Sequence, residues 1–107
     1  MTEQETQEKI NKLQMMEQSM QTYTAQKQQF QTQLLEIESA LSELEKTENA
    51  YKIVGNIMVL SKKEDLKKEL EQKKSTTELR IKTLEKQENK LREKSSELQK
   101  EVMDNMK

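Results

Sequence analysis

The side chains of this sequence that could carry acid–base chemistry are almost all lysines and carboxylates. The chain has 19 Lys and Arg residues and 20 Asp and Glu residues, but no histidine and no cysteine. Pairs such as Glu64–Lys68 and Glu78–Lys82 are spaced four residues apart, which makes them ion pairs on one face of a helix. The single glycine, Gly55, excludes glycine-rich phosphate-binding loops. We therefore expect no catalytic residue, no metal site, no cofactor and no enzyme activity.

Methionine is the residue type here that is most useful for binding. It is flexible and polarizable, and it suits surfaces that accept many apolar shapes. Five of the seven methionines fall into two groups near the ends of the sequence, and three aliphatic residues accompany them. We predict that these residues form one pliable apolar surface: Ile10, Leu13, Met15, Met16, Met20, Val102, Met103 and Met106. The alternative is that the methionines only fill the packing of frayed helix ends.

A regular apolar repeat runs through the first half of the chain. Ten positions from Leu13 to Leu44 alternate spacings of three and four residues, and only Lys27 among them is not apolar. This repeat is typical of a coiled-coil seam. The segment Thr2-Glu3-Gln4-Glu5 matches a helix capping box. We predict a first helix over residues 1–48, with Ile10 outside the register of the seam.

A second, weaker seam follows. Leucine or threonine recurs every seven residues from Leu70 to Leu98, while Lys74, Glu88 and Ser95 bring polar side chains into the repeat. This helix, predicted over residues 62–106 with a capping box at Ser61, needs the first helix as its partner. The register that we expect is antiparallel, with Leu44 near Leu70 and Leu13 near Val102.

Between the helices, the period changes to that of strands. Residues 51–54 and 57–60 are rich in β-branched side chains and flank Gly55-Asn56, a pattern that predicts a two-residue β-hairpin within residues 50–60. We expect a type II′ turn with positive φ at Gly55, and Val54 opposite Ile57. The alternative, an apolar helical connector, is disfavoured by the β-branched residues and the glycine.

Both faces of this hairpin are mostly apolar, and this feature predicts an oligomer. A lone two-stranded hairpin is marginal in water, and its unpaired edges are open to other strands. The predicted fold is therefore an all-α, long antiparallel two-helix coiled coil with one short β-hairpin at the bend, whose hairpins join those of other chains. The whole of 1–107 forms a single domain.

Several classes of function are disfavoured by the composition. The net charge of −1 argues against a nucleic-acid binder, and paired lysines such as Lys62-Lys63 are best explained as a solvated face. No segment approaches the roughly 20 apolar residues that span a bilayer. The first residues do not resemble a signal peptide. A cytoplasmic protein that does not bind membranes is the default expectation.

The segment from Ala50 to Val59 resembles the central motif of archaeal prefoldin β subunits, a Tyr-Lys-x-Val-Gly run that leads into an apolar strand. The resemblance implies an ATP-independent co-chaperone in which two α-class and four β-class subunits join hairpins into a β-barrel base. Partners implied are an α-class subunit, further copies of this chain, unfolded protein clients held at the coiled-coil tips, and a group II chaperonin.

The resemblance also assigns roles to residues of this chain. The hairpin residues carry over as the oligomer interface: Tyr51, Lys52, Ile53, Val54, Gly55, Asn56, Ile57, Met58, Val59 and Leu60. The methionine-containing surface corresponds by its position to the client-binding tip of the family. The alternative is a structural coiled-coil adaptor that binds two fixed partners and no unfolded chains. A helical membrane or nucleic-acid accessory protein is a third and weaker hypothesis.

Overall fold

The computed structural model describes residues 2–105 of the chain. Its elements are two helices with a pair of strands between them: α1 (Glu3–Lys46), β1 (Ala50–Val54), β2 (Ile57–Ser61) and α2 (Lys63–Asn105). The predicted order of helix, hairpin and helix is confirmed. Neither helix in the described range combines the length and the apolar character needed to cross a membrane.

Thr2 caps the start of α1 with one of the two bonds of the predicted capping box. The Glu5 N–H donates to the Thr2 hydroxyl oxygen at 3.2 Å, and the Thr6 N–H donates to the Thr2 carbonyl at 3.0 Å. At the other end, the Thr47 hydroxyl donates to the carbonyl of Glu43 at 3.0 Å. The ammonium group of Lys63 donates to the carbonyl of Glu45 at 3.2 Å. The bonds that involve the side chains of Thr2, Thr47 and Lys63 satisfy backbone groups that a helix end leaves without intrahelical partners.

The start of α2 differs from the prediction. Ser61 is the last residue of β2 and lies opposite Ala50, so the expected capping box at Ser61 is wrong. The carbonyl of Lys62 accepts the bond from the Leu66 N–H at 3.1 Å, which places Lys62 at the cap position. The physical reason is that the strand pairing extends one residue beyond the apolar run and includes Ser61.

The chain contains two compact units, each built from a part of both helices. We call residues 2–28 and 82–105 the terminal unit, and residues 29–81 the hairpin unit. In the terminal unit, Lys9 pairs with Glu101 and Lys27 pairs with Glu88, both at 2.7 Å. Residues later in α1 therefore meet residues earlier in α2, as an antiparallel pairing requires.

The hairpin unit shows the same direction of pairing. The carboxylate of Glu45 lies 3.0 Å from Lys67 Nζ, and that of Glu38 lies 4.0 Å from Lys74 Nζ. In each unit the two helices thus run antiparallel, and the coiled-coil prediction is confirmed.

The buried side chains follow the seams that the repeat predicts. The ten α1 seam positions from Leu13 to Leu44 are all buried or half-buried, whereas Leu35, beside the seam, is 67% exposed. On α2, buried residues recur at the spacings of the second seam, including Ile81 and Leu84. Burial of one narrow stripe per helix explains how a chain that is only 31% hydrophobic can fold.

The hairpin has the predicted register and turn. Ile53 lies opposite Met58, and Val54 lies opposite Ile57. Gly55 has a φ of 61°, and no other described residue has a positive φ, Asn56 included. A positive φ at the first turn position alone is the signature of a type II′ turn, whereas type I′ needs it at both positions.

Candidate binding surfaces

The hairpin exposes almost all of its apolar side chains. Every residue from Tyr51 to Leu60 is exposed, and Ile53 reaches 70%. Ala50, at the base of β1, is buried at 7%. Because paired residues share a face, the Ile53–Met58 pair and the Val54–Ile57 pair lie on opposite faces of the ribbon. Neither face is therefore covered within the described chain.

This exposure is costly in water. Burying a Val, Leu, Ile or Met side chain is favourable by about 1.5–3 kcal/mol, and seven large hydrophobic residues of the hairpin remain exposed. Within residues 2–105 the sheet has only these two strands, so each strand also has one edge without a backbone partner. Contiguous apolar surface of this kind marks a protein–protein interface, and open edges invite further strands.

A cleft of about 590 Å³ lies beside the hairpin within the hairpin unit. Ile53 and Met58 line it from the strands, and Leu44, Leu66 and Leu70 line it from the helices. Its walls are mostly apolar. The apolar surface available to a partner thus continues from the strands onto the adjoining helix ends.

Lys52 forms an ion pair between the hairpin and α2. Its ammonium nitrogen lies 2.9 Å and 3.1 Å from the two carboxylate oxygens of Glu69. The hydrogen bond from Lys52 holds the pKa of the Glu69 carboxyl below its usual value. Lys73 approaches the same carboxylate at 3.8 Å. The one charged side chain of the exposed ribbon therefore has its partner inside the same unit.

The predicted client-binding residues have different surroundings in the terminal unit. Ile10, Leu13, Met16 and Met20 are half-buried along the inner side of α1. Met15 and Met103 point outward and are 68% and 65% exposed, whereas Val102 is buried at 7%. Val102 thus packs between the helices and offers little surface to a client. Met106 lies outside the described residues.

A side groove of about 400 Å³ brings part of this set together. Leu13, Met16 and Met20 of α1 line it together with Leu91 and Ser95 of α2. The groove is thus formed where the two helices meet, and it includes α2 residues that the sequence did not identify as binding residues.

A polar clasp interrupts the apolar seam in the same unit. Lys27 Nζ lies 2.7 Å from one carboxylate oxygen of Glu88, and the Thr24 hydroxyl donates to the other at 3.0 Å. The Glu88 side chain is only 6% exposed. The hydrogen bond from Lys27, with a smaller one from Thr24, holds the pKa of Glu88 below its usual value, although burial acts in the opposite direction.

The sequence contains enough information to predict both the Lys27–Glu88 clasp and the small residue in the groove, Ser95. Lys27 is the one polar residue in the first seam, and Glu88 and Ser95 are polar residues in the second. The antiparallel register expected for Leu13 and Val102 brings Lys27 to Glu88 and Met20 to Ser95. Within one seam these polar residues only weaken the apolar repeat, and their roles as an ion pair and as a small groove residue depend on the other helix.

The relatives found by comparison with known proteins agree with one another in their names. The family model described as "Prefoldin subunit" matches residues 7–107. The protein named prefoldin subunit beta from Archaeoglobus fulgidus is 46% identical over 96 residues, which cover 87% of this chain and 83% of that protein. The prefoldin subunit beta of Sulfurisphaera tokodaii is 38% identical over 101 residues, with 92% of this chain and 81% of that protein covered.

A solved structure shares the fold. The crystal structure of the prefoldin beta subunit from Thermococcus strain KS-1 superposes with a TM-score of 0.88 at 35% sequence identity. The match covers 94% of this chain and 91% of that one. Sequence and fold therefore point to the same family over nearly the whole chain.

Proposed function

Because this chain belongs to the prefoldin subunit family, we propose that it is a β-class subunit of an ATP-independent chaperone that holds unfolded polypeptides. Family membership implies that it is a chaperone component that assembles into a multi-subunit prefoldin complex. The finer parts of the proposal are the stoichiometry, the capture of clients by the terminal unit, and delivery of those clients to a group II chaperonin.

The exposed hairpin is the observation that carries the proposal. Its two uncovered apolar faces and two open edges are stable only if other strands cover them. The proposed assembly has two α-class and four β-class subunits that join hairpins into a β-barrel base. Residues 51–60 contribute to that interface, and the apolar walls of the adjoining cleft extend it.

The terminal unit supports the proposed capture of clients. It presents the outward side chains of Met15 and Met103 and the half-buried Ile10, Met16 and Met20. Such pliable apolar groups bind weakly to many apolar sequences. Capture in this proposal is a binding equilibrium with no chemical step, and the proposed place of action is the cytoplasm.

The proposal is tested by reconstituting the complex with an α-class subunit and adding a guanidinium-unfolded test protein. We expect the complex to suppress the light scattering of the aggregating protein, equally well with and without ATP. Each subunit at the same concentration, assayed alone, serves as the control. A well-formed complex that leaves aggregation unchanged would favour the structural adaptor over the chaperone.

Delivery to a chaperonin is a separate step and needs its own measurement. We expect the labelled client to move from the complex to a group II chaperonin when the two are mixed, as followed by native gel. If the client stays with the complex, the proposed delivery step is wrong, but the proposed holding activity is unaffected.

A further inference from the structure

The two seams of the coiled coil differ in their apolar content. Of the ten α1 seam positions from Leu13 to Leu44, only Lys27 is not apolar, whereas the α2 seam includes Lys74 and Glu88 among its leucines. Apolar seam residues drive coiled-coil pairing, so two α1 helices from different copies would bring together more of them than α1 and α2 do. In the folded chain α1 nevertheless pairs with the weaker seam of α2, in both units.

Lys27 is the residue that disfavours a pairing of two α1 helices. It is the only charged residue between Glu17 and Glu36, and no α1 seam position from 13 to 44 carries a carboxylate. In a parallel, in-register pair of helices, equivalent seam positions face each other. Two Lys27 ammonium groups would therefore meet in the seam, where a charge without a partner is costly.

The pairing of α1 with α2 gives the same lysine a partner. Lys27 Nζ lies 2.7 Å from one carboxylate oxygen of Glu88, and the Thr24 hydroxyl donates to the other at 3.0 Å. Across residues 2–105, no buried side-chain nitrogen or oxygen atom is left without a hydrogen-bond partner. The cation and the anion lie on different helices, so only a pair of unlike helices satisfies both.

Resting on the proposed function, we propose that the Lys27–Glu88 clasp restricts α1 to pairing with α2 and prevents it from pairing with the α1 of a neighbouring copy. Several copies of this chain that share one base meet at a high effective concentration. A mispairing that is even slightly favourable would then be populated. A charge that has a partner in one pairing and none in the other makes the wrong pairing costly, and this difference gives the selectivity.

A single introduced cysteine detects the mispairing, because the chain has no cysteine of its own. Gln26→Cys places the thiol on α1, beside the clasp and at an exposed position. The chain with this probe is assembled with a cysteine-free α-class subunit and treated with a flexible bismaleimide. A denaturing gel then separates the cross-linked dimer of this chain from the monomer.

The deciding variant is Lys27→Leu combined with Glu88→Leu, which removes both charges and leaves neither one buried alone. We expect at least about tenfold more cross-linked dimer than in the unaltered complex, because the cost of an unpaired charge no longer disfavours the pairing of two α1 helices. The reversed pair, Lys27→Glu with Glu88→Lys, again gives α1 a seam charge and should cross-link as little as the unaltered chain.

The matched control is Lys12→Leu combined with Glu85→Leu. Both positions are exposed, one on each helix of the terminal unit. This variant removes the same two charges and adds the same two side chains outside the seams. We expect it to give no more dimer than the unaltered complex.

Equal amounts of dimer in the Lys27→Leu, Glu88→Leu complex and the unaltered complex, both intact on size-exclusion chromatography, would overturn the proposed selectivity. An equal rise in the control would also overturn it, because added apolar surface alone would then explain the association. If the variant does not assemble with the α-class subunit, the same comparison on the full chains alone decides. If the unaltered chain itself does not assemble, the proposed function fails, and the comparison of the chains alone still decides the role of the clasp.

Discussion

Single residues in the seams of this chain decide how the helices align. Lys27 and Glu88 interrupt two otherwise largely apolar stripes, and they meet each other at 2.7 Å in the terminal unit. A buried ion pair is weak evidence for stability, because both charges lose water. A polar residue at a seam position is, however, a known means of fixing register in coiled coils. We infer that the clasp contributes more to the specificity of the pairing than to its strength.

The first prediction concerns the difference between removing one charge of the pair and replacing both charges. Lys27→Leu leaves the buried Glu88 carboxylate without its cation, and we expect the chain to lose about 1–3 kcal/mol of stability. Glu88→Leu is the other single variant of the cycle. The double variant Lys27→Leu with Glu88→Leu replaces the pair by apolar packing and should be at least as stable as the unaltered chain. Thermal and urea unfolding followed by circular dichroism measure both. Additive effects in this double-mutant cycle, with no coupling energy, would contradict the clasp.

The second prediction concerns pH. The pKa of Glu88 is held below its usual value by Lys27 and Thr24, so the folded state binds this proton less readily than the unfolded state. The resulting stability is fully present above the unfolded pKa of about 4.3 and is lost as the pH falls through the lower folded-state pKa.

We therefore expect Glu88→Gln to flatten the fall in unfolding temperature between neutral pH and acid. Glu97→Gln, on the exposed side of α2, controls for the loss of one carboxylate. An unfolding temperature that depends on pH as steeply in Glu88→Gln as in the unaltered chain would show that Glu88 contributes nothing to acid sensitivity.

At the scale of elements, the hairpin follows most directly from local sequence. Its two runs rich in β-branched residues indicate strands, and Gly55-Asn56 sets a two-residue turn, so register and turn type were both predictable. The start of α2 was not, because Ser61 fits both a helix cap and a strand end. Pairing with Ala50 decided between the two, and this long-range contact is not visible in the local pattern around Ser61.

The third prediction tests the turn. Gly55 has a φ of 61° and no atom within 4 Å of the position of an added Cβ, so Gly55→Val acts through backbone strain alone, at a cost of ~1 kcal/mol or more per chain. We expect impaired assembly with an α-class subunit on size-exclusion chromatography. Asn56→Val, at a position without positive φ, should assemble more normally. Equal elution of both variants with the unaltered complex would contradict the turn assignment.

At the scale of the whole molecule, the sequence predicted the family, the order of elements and the seams, because these depend on periodic patterns and one specific hairpin motif. It placed Met16, Met20 and Val102 on the seams, but it did not predict how deeply each of them would be buried. Val102 became core, Met15 and Met103 faced outward, and Met16 and Met20 lined a groove. The depth of burial depends on the size of the residues that lie opposite on the other helix, which the repeat of one helix alone does not contain.

We propose that the uncovered hairpin makes this chain an obligate part of a larger assembly. Native mass spectrometry of the chain, alone and mixed with an α-class prefoldin subunit, tests this proposal. We expect a hexamer of two α-class subunits and four copies of this chain in the mixture. A chain that stays monomeric in the presence of its partner, with residues 51–60 still open to solvent, would contradict it.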